Sequence, residues 1–185
     1  MKTESTVKYV LRLAITLLVI TAVVAAVLAG VNTVTAPRIA ALTAEKTQKA
    51  IEAVLPGGGE KMAEGTYTDG TGLVSAVYAG ENGYAVEVNP VGFDSAITMM
   101  VGVGKDGYVL GIDIIDHSET AGLGAVAAAD TSAGEAFRSQ FVGMSGTLAV
   151  AKDGGEVDAL TGATITSRGV TTGVNAALAC VANMG

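Results

Sequence analysis

The sequence predicts an α+β domain, an antiparallel sheet with packed helices, preceded by a single N-terminal transmembrane helix. An uncharged apolar stretch near the amino terminus predicts the membrane helix. Four short runs at strand spacing, joined by short connections, predict an antiparallel sheet, because such connections cannot cross over to a parallel neighbour. Helical patterns before and after these runs complete the α+β class.

The composition excludes several classes of function. The chain has 185 residues and a formal net charge of −7, whereas nucleic-acid binding requires a basic face. Cys180 is the single cysteine, so the sequence offers no intrachain disulfide and no cysteine cluster for zinc or iron–sulfur ligation. We therefore expect no metal site, and any redox chemistry must come from an organic cofactor or from elsewhere.

The membrane helix is predicted from Leu13–Pro37, a stretch without charge. About 20 apolar residues cross a hydrocarbon core of roughly 30 Å. Lys2, Lys8 and Arg12 precede the stretch and Arg38 follows it, which predicts a cytoplasmic amino terminus and an extracytoplasmic domain. A cleaved signal peptide is the alternative, but its apolar core is usually about 7–15 residues long, so an uncleaved anchor is favoured.

Beyond the anchor, Pro37 is expected to interrupt the helix, because proline lacks an amide hydrogen. A second helix is predicted over Arg38–Leu55, and Pro56–Gly59 should end it. The predicted organisation is a cytoplasmic terminus at 1–12, a transmembrane helix at 13–36, a juxtamembrane helix and linker at 37–59, and an extracytoplasmic domain at 60–185.

The domain itself is predicted to begin with loop or edge structure over Glu60–Gly72. A hairpin turn is expected at Lys105-Asp106-Gly107, since Asp-Gly favours positive φ. A short helix is predicted at Glu135–Val142, a further strand at Thr147–Val150 and a closing helix at Arg168–Met184. The four principal strands are predicted at Leu73–Ala79, Tyr84–Val88, Ala96–Val103 and Tyr108–Ile115.

The stretch Asp158–Ser167 is the most informative segment for function. Its threonines and serine directly precede the closing helix, where hydroxyls commonly cap the first amides. The same amides, with the positive end of the helix dipole, are also typical of a binding site for a phosphate group. Gly162 and Ala163 permit close approach of a ligand to the backbone. Taken alone, the stretch leaves open both a capped helix and a phosphate site.

Other segments carry candidate polar groups. The loop 116–124 contains the single histidine, His117, together with Glu119, a pair that could suggest acid–base chemistry but is also typical of a solvated loop. The patch Gly92–Ala96 places an aromatic residue beside small ones, which suits either a flat ring or a turn. Lys152, in a predicted turn, could supply positive charge near a phosphate.

These motifs occur together in the order found in a known family. The chain resembles the G subunits of the Rnf ion-translocating electron-transport complexes (RnfG), and more distantly the usually longer C subunits of the sodium-pumping NADH:quinone oxidoreductases. The resemblance rests on Glu119-Thr120-x-Gly122-Leu123-Gly124, followed by Thr161-Gly162-Ala163-Thr164. Ala121 stands where the family usually has proline, and Phe93-Asp94-Ser95 stands where relatives often have Tyr-Ser-Gly.

The resemblance implies one FMN, joined through its phosphate to Thr164 by a flavin transferase that uses FAD outside the cytoplasm. Backbone amides at Gly162–Thr166, with the start of the closing helix, should hold the phosphate, and Lys152 could supply positive charge near it. The loop and the small-residue strands should shape the ring pocket. Asp158 matches the acidic residue before the motif. The implied cofactor-binding residues are Phe93, Ser95, Glu119, Thr120, Leu123, Gly124, Lys152, Thr161, Gly162, Ala163, Thr164, Ile165 and Thr166.

The resemblance further implies electron transfer between ferredoxin and NAD, coupled to Na⁺ or H⁺ movement by a membrane complex. The protein would carry electrons, catalyse no complete reaction alone, and bind the other subunits, including a second flavinylated one. Three alternatives remain: the FMN-bearing component of a Na⁺-translocating NADH:quinone oxidoreductase, a membrane-anchored binding domain without cofactor, and a small hydrolase that uses His117 and Glu119.

Overall fold

The computed structural model describes residues 2–68 and 70–184, with side chains from residue 6 onward. Met1, Asp69 and Gly185, which fall in the predicted segments 1–12 and 60–185, lie outside the described residues. The chain forms two compact units, Met1–Glu45 and Lys46–Gly185. The first unit is helical, and the second contains the sheet and the remaining helices.

Helix α1 covers Lys2–Val54, and its part Thr6–Val54 is long and apolar enough to cross a membrane; no other described helix meets this criterion. Threonine hydroxyls in the apolar part donate to backbone carbonyls one turn earlier, as Thr16 does to Arg12 at 2.8 Å, so they expose no unpaired donor to lipid.

The predicted interruption at Pro37 is wrong, since α1 runs through it. Proline removes one amide donor, but its fixed φ near −65° is itself helical, and turns on both sides continue the helix.

The sheet is an antiparallel meander in the order β1-β2-β3-β4-β5, which confirms the predicted fold class. Gly107, with φ of +81°, closes the turn between the last two strands, as its Asp-Gly sequence predicts. The short edge strand falls in the segment predicted as loop or edge structure. The strands are β1 Glu60–Lys61, β2 Val74–Ala79, β3 Gly83–Val88, β4 Thr98–Gly104 and β5 Val109–Asp116.

Both faces of the sheet are covered. Helices α2 (Ser132–Ser139) and α3 (Thr164–Ala182) pack against one face of the sheet and form the main hydrophobic core with it. The last turns of α1 cover the other face, where Ala50, Ile51, Val54 and Leu55 are buried against Ala85 and Met100. Glycine is required at position 102 on this face, because a Cβ there would run into the backbone carbonyl of Val54.

Three predicted elements differ from the structure. Thr147–Val150 is not a strand and forms only an isolated parallel bridge between Val150 and Val157. Helix α2 begins and ends three residues earlier than predicted. Its start is set by Thr131, whose hydroxyl accepts a hydrogen bond from the Gly134 amide and caps the helix. Helix α3 begins at Thr164 instead of Arg168, so the last threonine of the Thr-Gly-Ala-Thr motif is its first residue.

Candidate functional site

The start of α3 is not capped by a hydroxyl, contrary to one of the two sequence-based interpretations. The residue at the N-cap position is Ala163, whose side chain makes no capping hydrogen bond. The nearby hydroxyls bond to other segments instead: Thr164 Oγ1 accepts from Lys152 Nζ at 3.0 Å, and Thr166 Oγ1 donates to Glu119. Ser167 Oγ donates to the Ala163 carbonyl and accepts from the Leu160 amide, both at 3.0 Å. The hydroxyls therefore fasten loops to α3 and do not cap its amides.

A tight turn leads into α3. The Ala163 amide donates to the Leu160 carbonyl at 3.0 Å, and Gly162 occupies the third position of this turn with φ of +75°. Positive φ at the third position, without it at Thr161, is the type II pattern that favours glycine. A Cβ on Gly162 would also lie 3.0 Å from Leu123 Cδ2, so glycine lets this turn approach the loop 116–124.

Glu119 joins three segments of the chain around the site. Its carboxylate Oε1 accepts from the amides of Phe93, at 2.8 Å, and Asp94, at 3.2 Å, while Oε2 accepts from Thr166 Oγ1 at 2.5 Å. The side chain is 8% exposed, so these hydrogen bonds replace hydration that burial has removed. Glycine at 92 and at 124 leaves room for it, because a Cβ at either position would collide with the carboxylate.

His117 does not form an acid–base pair with the Glu119 carboxylate in this arrangement. Its Nδ1 accepts from the backbone amide of Glu119 at 3.2 Å, and the carboxylate is bonded to the other two segments. His117 is also outside the residues that line the candidate cavity. The geometry therefore gives no support to a hydrolase that uses these two side chains together.

A short 3₁₀ helix, Ala151–Asp153, lies against α3. Lys152 contacts the Thr164 hydroxyl, and the carboxylate of Asp153 accepts from Arg168 Nε at 2.6 Å and from its terminal nitrogen at 2.7 Å. The hydrogen bonds from Arg168, with its charge and that of Lys152, lower the pKa of Asp153 below its ordinary value of 3.8. The pKa of Arg168 is raised in turn.

These segments enclose a cavity of about 250 Å³. The predicted small-residue strands do not line it. Its lining comes from loops, the 3₁₀ helix Ala151–Asp153, a second 3₁₀ helix at Gly124–Ala128 and the start of α3. Of the predicted site residues, Ser95 and Thr161 are not in its lining: Ser95 is half-buried and donates to the Ala96 carbonyl, and Thr161 lies exposed in the turn before α3. The lining residues are Phe93, Glu119, Thr120, Leu123, Gly124, Lys152, Gly162, Ala163, Thr164, Ile165 and Thr166.

The cavity has an apolar and a polar side. Phe93, Leu123 and Ile165 are 64%, 44% and 50% exposed, an unusual exposure for large apolar side chains gathered at one opening. Lys152 and Thr164 provide a cation and a hydroxyl at the beginning of α3. This combination suits a ligand with a flat apolar part and an anionic part.

Larger surface depressions elsewhere in the described part of the domain are less suited to such a ligand. One, of about 790 Å³, is bordered by Glu52, Glu60 and Glu81 beside the glycines after α1, and is more open. A second, of about 850 Å³, lies between α3 and the turn at Lys105-Asp106-Gly107. A third, of about 420 Å³, lies between α2 and the segment 158–161 and is also more open. The smaller cavity is more enclosed than these and combines exposed apolar side chains with the Lys152 ammonium and the Thr164 hydroxyl, so it is the candidate site.

Several residues that shape the site were not identified from the sequence. Gln140 pairs its side-chain amide with the backbone of Asp158, donating at 3.3 Å and accepting at 2.8 Å, and so holds the approach to the Thr-Gly-Ala-Thr turn. The predicted acidic residue Asp158 contributes this backbone contact and is not in the cavity lining. Arg168 could have been noticed, because it follows Thr164 by four residues and shares its helix face.

Comparison with known proteins gives consistent matches. Residues 92–179 match the FMN-binding domain family. The G subunit of the ion-translocating oxidoreductase complex of Methanosarcina acetivorans is 33% identical over 92% of this chain and 94% of its own length. The G subunit of the Na⁺-translocating ferredoxin:NAD⁺ oxidoreductase complex of Acetobacterium woodii is 34% identical over 96% and 94%. A proton-translocating counterpart from Clostridium ljungdahlii is 40% identical over 55% of this chain and 57% of its own length.

The matched region extends from Gly92 to Ala179 and so contains every residue that lines the cavity. With one described helix that can span a bilayer and relatives that are subunits of an ion-translocating complex, the chain is a single-pass membrane protein. The chain belongs to the family of G subunits of ion-translocating oxidoreductase complexes, the RnfG family, and carries its FMN-binding domain.

Proposed function

We propose that this protein is the electron-carrying G subunit of an Rnf-type ferredoxin:NAD⁺ oxidoreductase, with FMN bound covalently through a phosphodiester to Thr164. The observation that carries the attachment site is the Lys152–Thr164 hydrogen bond of 3.0 Å at the beginning of α3. A hydroxyl, an ammonium group and a helix start then coincide at one edge of a cavity with an apolar opening. Each of these features favours the phosphate end of a flavin nucleotide.

The residues present fit that group. Ala163 leaves the first amides of α3 without a capping side chain, and amides at a helix start are the donors that phosphate oxygens prefer. Phe93, Leu123 and Ile165 offer apolar surface to a planar ring. The cavity of about 250 Å³ is below the usual range of roughly 300–1,000 Å³ for enclosed ligand sites, which suits a group held partly at the surface.

Bound FMN would supply the one- and two-electron chemistry that the side chains of this protein lack. The protein would hold and orient it. Lys152 would balance the phosphodiester charge. Glu119, which accepts hydrogen bonds from the Phe93 amide and from Thr166, would hold these two segments in place beside the flavin ring. Thr164 would be the point of attachment and would take no part in turnover.

The partners follow from the same proposal. A flavin transferase with FAD as donor would make the bond, and the other membrane and peripheral subunits of the complex would exchange electrons with the flavin. Relatives are named for Na⁺ and for H⁺ translocation, so both remain candidate coupling ions. The excess of Lys2, Lys8 and Arg12 before the span, against Arg38 after it, favours a cytoplasmic amino terminus and an extracytoplasmic flavin.

Flavin fluorescence on a denaturing gel tests the attachment. The full chain would be co-expressed with a flavin transferase, as wild type and as the variants Thr164→Val and Thr161→Val. We expect a fluorescent band for wild type and for Thr161→Val, which alters an exposed threonine outside the cavity lining, and none for Thr164→Val. A dark wild-type band from exported protein, or a fluorescent Thr164→Val band, would contradict the proposal.

The orientation has its own test. A phosphatase that is active only outside the cytoplasm can be fused to the carboxyl terminus of the full chain. We expect phosphatase activity from this fusion, and none from a matched fusion made directly after Arg12, before the apolar segment. An inactive carboxyl-terminal fusion that is present in the membrane would contradict the extracytoplasmic placement.

A further inference from the structure

Two successive residues of the 3₁₀ helix Ala151–Asp153 bind one face of α3. Lys152 Nζ donates to Thr164 Oγ1 at 3.0 Å. The Asp153 carboxylate accepts from Arg168 Nε at 2.6 Å and from its terminal nitrogen Nη2 at 2.7 Å. Thr164 and Arg168 are four residues apart, so they are neighbours on the helix surface. The ion pair therefore lies one helical turn from the hydroxyl that Lys152 contacts.

The Asp153–Arg168 ion pair restricts the orientation of its two side chains more strongly than the Lys152–Thr164 hydrogen bond does. A guanidinium–carboxylate pair with two parallel hydrogen bonds has a narrow range of orientations. A lysine carries its charge on four flexible carbons, and Lys152 is exposed, so a single hydrogen bond to a hydroxyl confines it weakly. The position of its ammonium group must depend on where the backbone at 152 is held.

The backbone at 152 is held by its own turn and by the ion pair. The Ala151 amide donates to Val157 at 2.8 Å, and the Gly155 amide donates to Val150 at 3.1 Å. Gly154 closes the turn with φ of +86°. These bonds make the turn a compact unit, and the Asp153–Arg168 pair joins that unit to α3.

We propose that Asp153 and Arg168 are positioning residues that hold the Lys152 ammonium at the Thr164 hydroxyl for attachment of the flavin. This inference rests on the proposed function. In the attachment step, Thr164 Oγ1 attacks the flavin-side phosphorus of FAD, and the new Oγ1–P bond replaces the bond to AMP. AMP leaves with the electron pair of that bond, and the hydroxyl proton passes to a base of the transferase.

Lys152 acts on this step through charge. The Lys152 ammonium is within hydrogen-bond distance of the attacking oxygen, so it would stabilise the negative charge that redistributes among the phosphoryl oxygens during the step. Its effect depends on distance, so a lysine that is free to move stabilises the transition state less. Asp153 and Arg168 neutralise each other, so removal of both changes the position of Lys152 and leaves the net charge of the site the same.

Because removal of both Asp153 and Arg168 leaves the net charge unchanged, the proposal can be tested at constant net charge. The initial rate of flavin incorporation would be measured with the full chain in detergent, a purified flavin transferase and FAD. The variants are Asp153→Asn/Arg168→Gln, Lys152→Met, and the triple combination. We expect the pair variant to incorporate flavin about 5- to 50-fold more slowly, less than the roughly 100- to 1,000-fold cost of removing a direct oxyanion donor.

The coupling with Lys152 distinguishes positioning from a general structural role. We expect the triple variant to react at the rate of Lys152→Met, because the pair acts through the lysine. A charge-reversed variant, Asp153→Arg/Arg168→Asp, should recover part of the lost rate. Either a wild-type rate in the pair variant, or the same fold-loss from the pair change with and without Lys152, overturns the inference. A wild-type chain that incorporates no flavin overturns the proposed function, and this inference with it.

Discussion

Glu119 Oε2 accepts a hydrogen bond from Thr166 Oγ1 although the two residues are 47 positions apart in the chain. Through its other oxygen, Glu119 also accepts from the backbone amides of Phe93 and Asp94. One buried carboxylate thus fixes the relative positions of the patch before β4, the loop after β5 and the start of α3. These are the segments that contribute most of the cavity lining.

Replacement of Glu119 by alanine is expected to destabilise the domain by about 1–3 kcal/mol, because buried donors then lose their acceptor. Urea unfolding of the full chain in detergent measures this change in the free energy of unfolding. Glu64→Ala, at an exposed position, is the matched control and should be within about 0.5 kcal/mol of wild type. Equal stability of the two variants would show that the Glu119 carboxylate does not hold these segments.

Ala121→Pro is expected to stabilise the protein. The Leu123 amide donates to the Thr120 carbonyl at 3.1 Å, and Gly122 has φ of +75°, so Ala121 occupies the second position of a type II turn. Proline is favoured there and restricts the unfolded chain, which raises the free energy of unfolding by about 0.4–1 kcal/mol. A lower denaturation midpoint in the variant would indicate that this turn has a different backbone conformation.

Much of the architecture could be predicted from the sequence because local patterns carry it. Alternating runs with an Asp-Gly turn predicted the strands of the meander, and the apolar segment predicted the membrane helix. Helix starts were predicted less well. The Thr-Gly-Ala-Thr motif contains hydroxyls typical of caps, but Thr166 and Ser167 bond to Glu119 and Leu160, contacts that depend on tertiary structure.

In the site, too, residues within local motifs could be predicted, whereas contacts between distant segments could not. Eleven of the thirteen predicted site residues line one cavity, and most of them belong to two motifs that are each short and continuous in sequence. Asp153–Arg168 was not predicted, because nothing local brings a turn residue against the second turn of a later helix. Thr161 was included with its motif, yet its place in the type II turn leaves it outside the cavity lining.

Two paired glycines on the face of the sheet covered by α1 should respond differently to alanine. Gly102 and Gly111 are partners across β4 and β5. A Cβ at 102 would collide with the Val54 carbonyl, whereas one at 111 would lie 3.7 Å from Val54 Cα, an ordinary contact. We expect Gly102→Ala to cost about 1–3 kcal/mol and Gly111→Ala to be tolerated.

Thermal or urea unfolding of these two variants measures the difference. The comparison is controlled internally, because the substitutions are identical and occupy partner positions. Equal destabilisation by both substitutions would contradict the close packing of the last turns of α1 against β4.

The Asp153–Arg168 ion pair predicts a pH dependence. The pKa of Asp153 is lowered in the folded protein, chiefly by its hydrogen bonds from Arg168, so the contribution of the pair is present above the ordinary pKa of 3.8. That contribution is lost as the pH falls through the lowered pKa. We expect the stability difference between wild type and Asp153→Asn to be constant from about pH 5 to 8 and to shrink in acid below about pH 4.

Unfolding midpoints of the two proteins across this range give the measurement. Both side chains are exposed, so the difference at neutral pH should be small. A difference that grows on acidification would have the opposite sign to that expected for a carboxylate stabilised in its charged form.

Thr164, at the beginning of α3, is expected to carry the flavin. The most direct measurement is peptide mass mapping of the full chain purified after co-expression with a flavin transferase. We expect the peptide containing Thr161–Thr166 to gain the mass of one FMN less one water, and fragmentation to assign this mass to Thr164. An unmodified peptide, or a flavin assigned to Thr161 or Thr166, would contradict it.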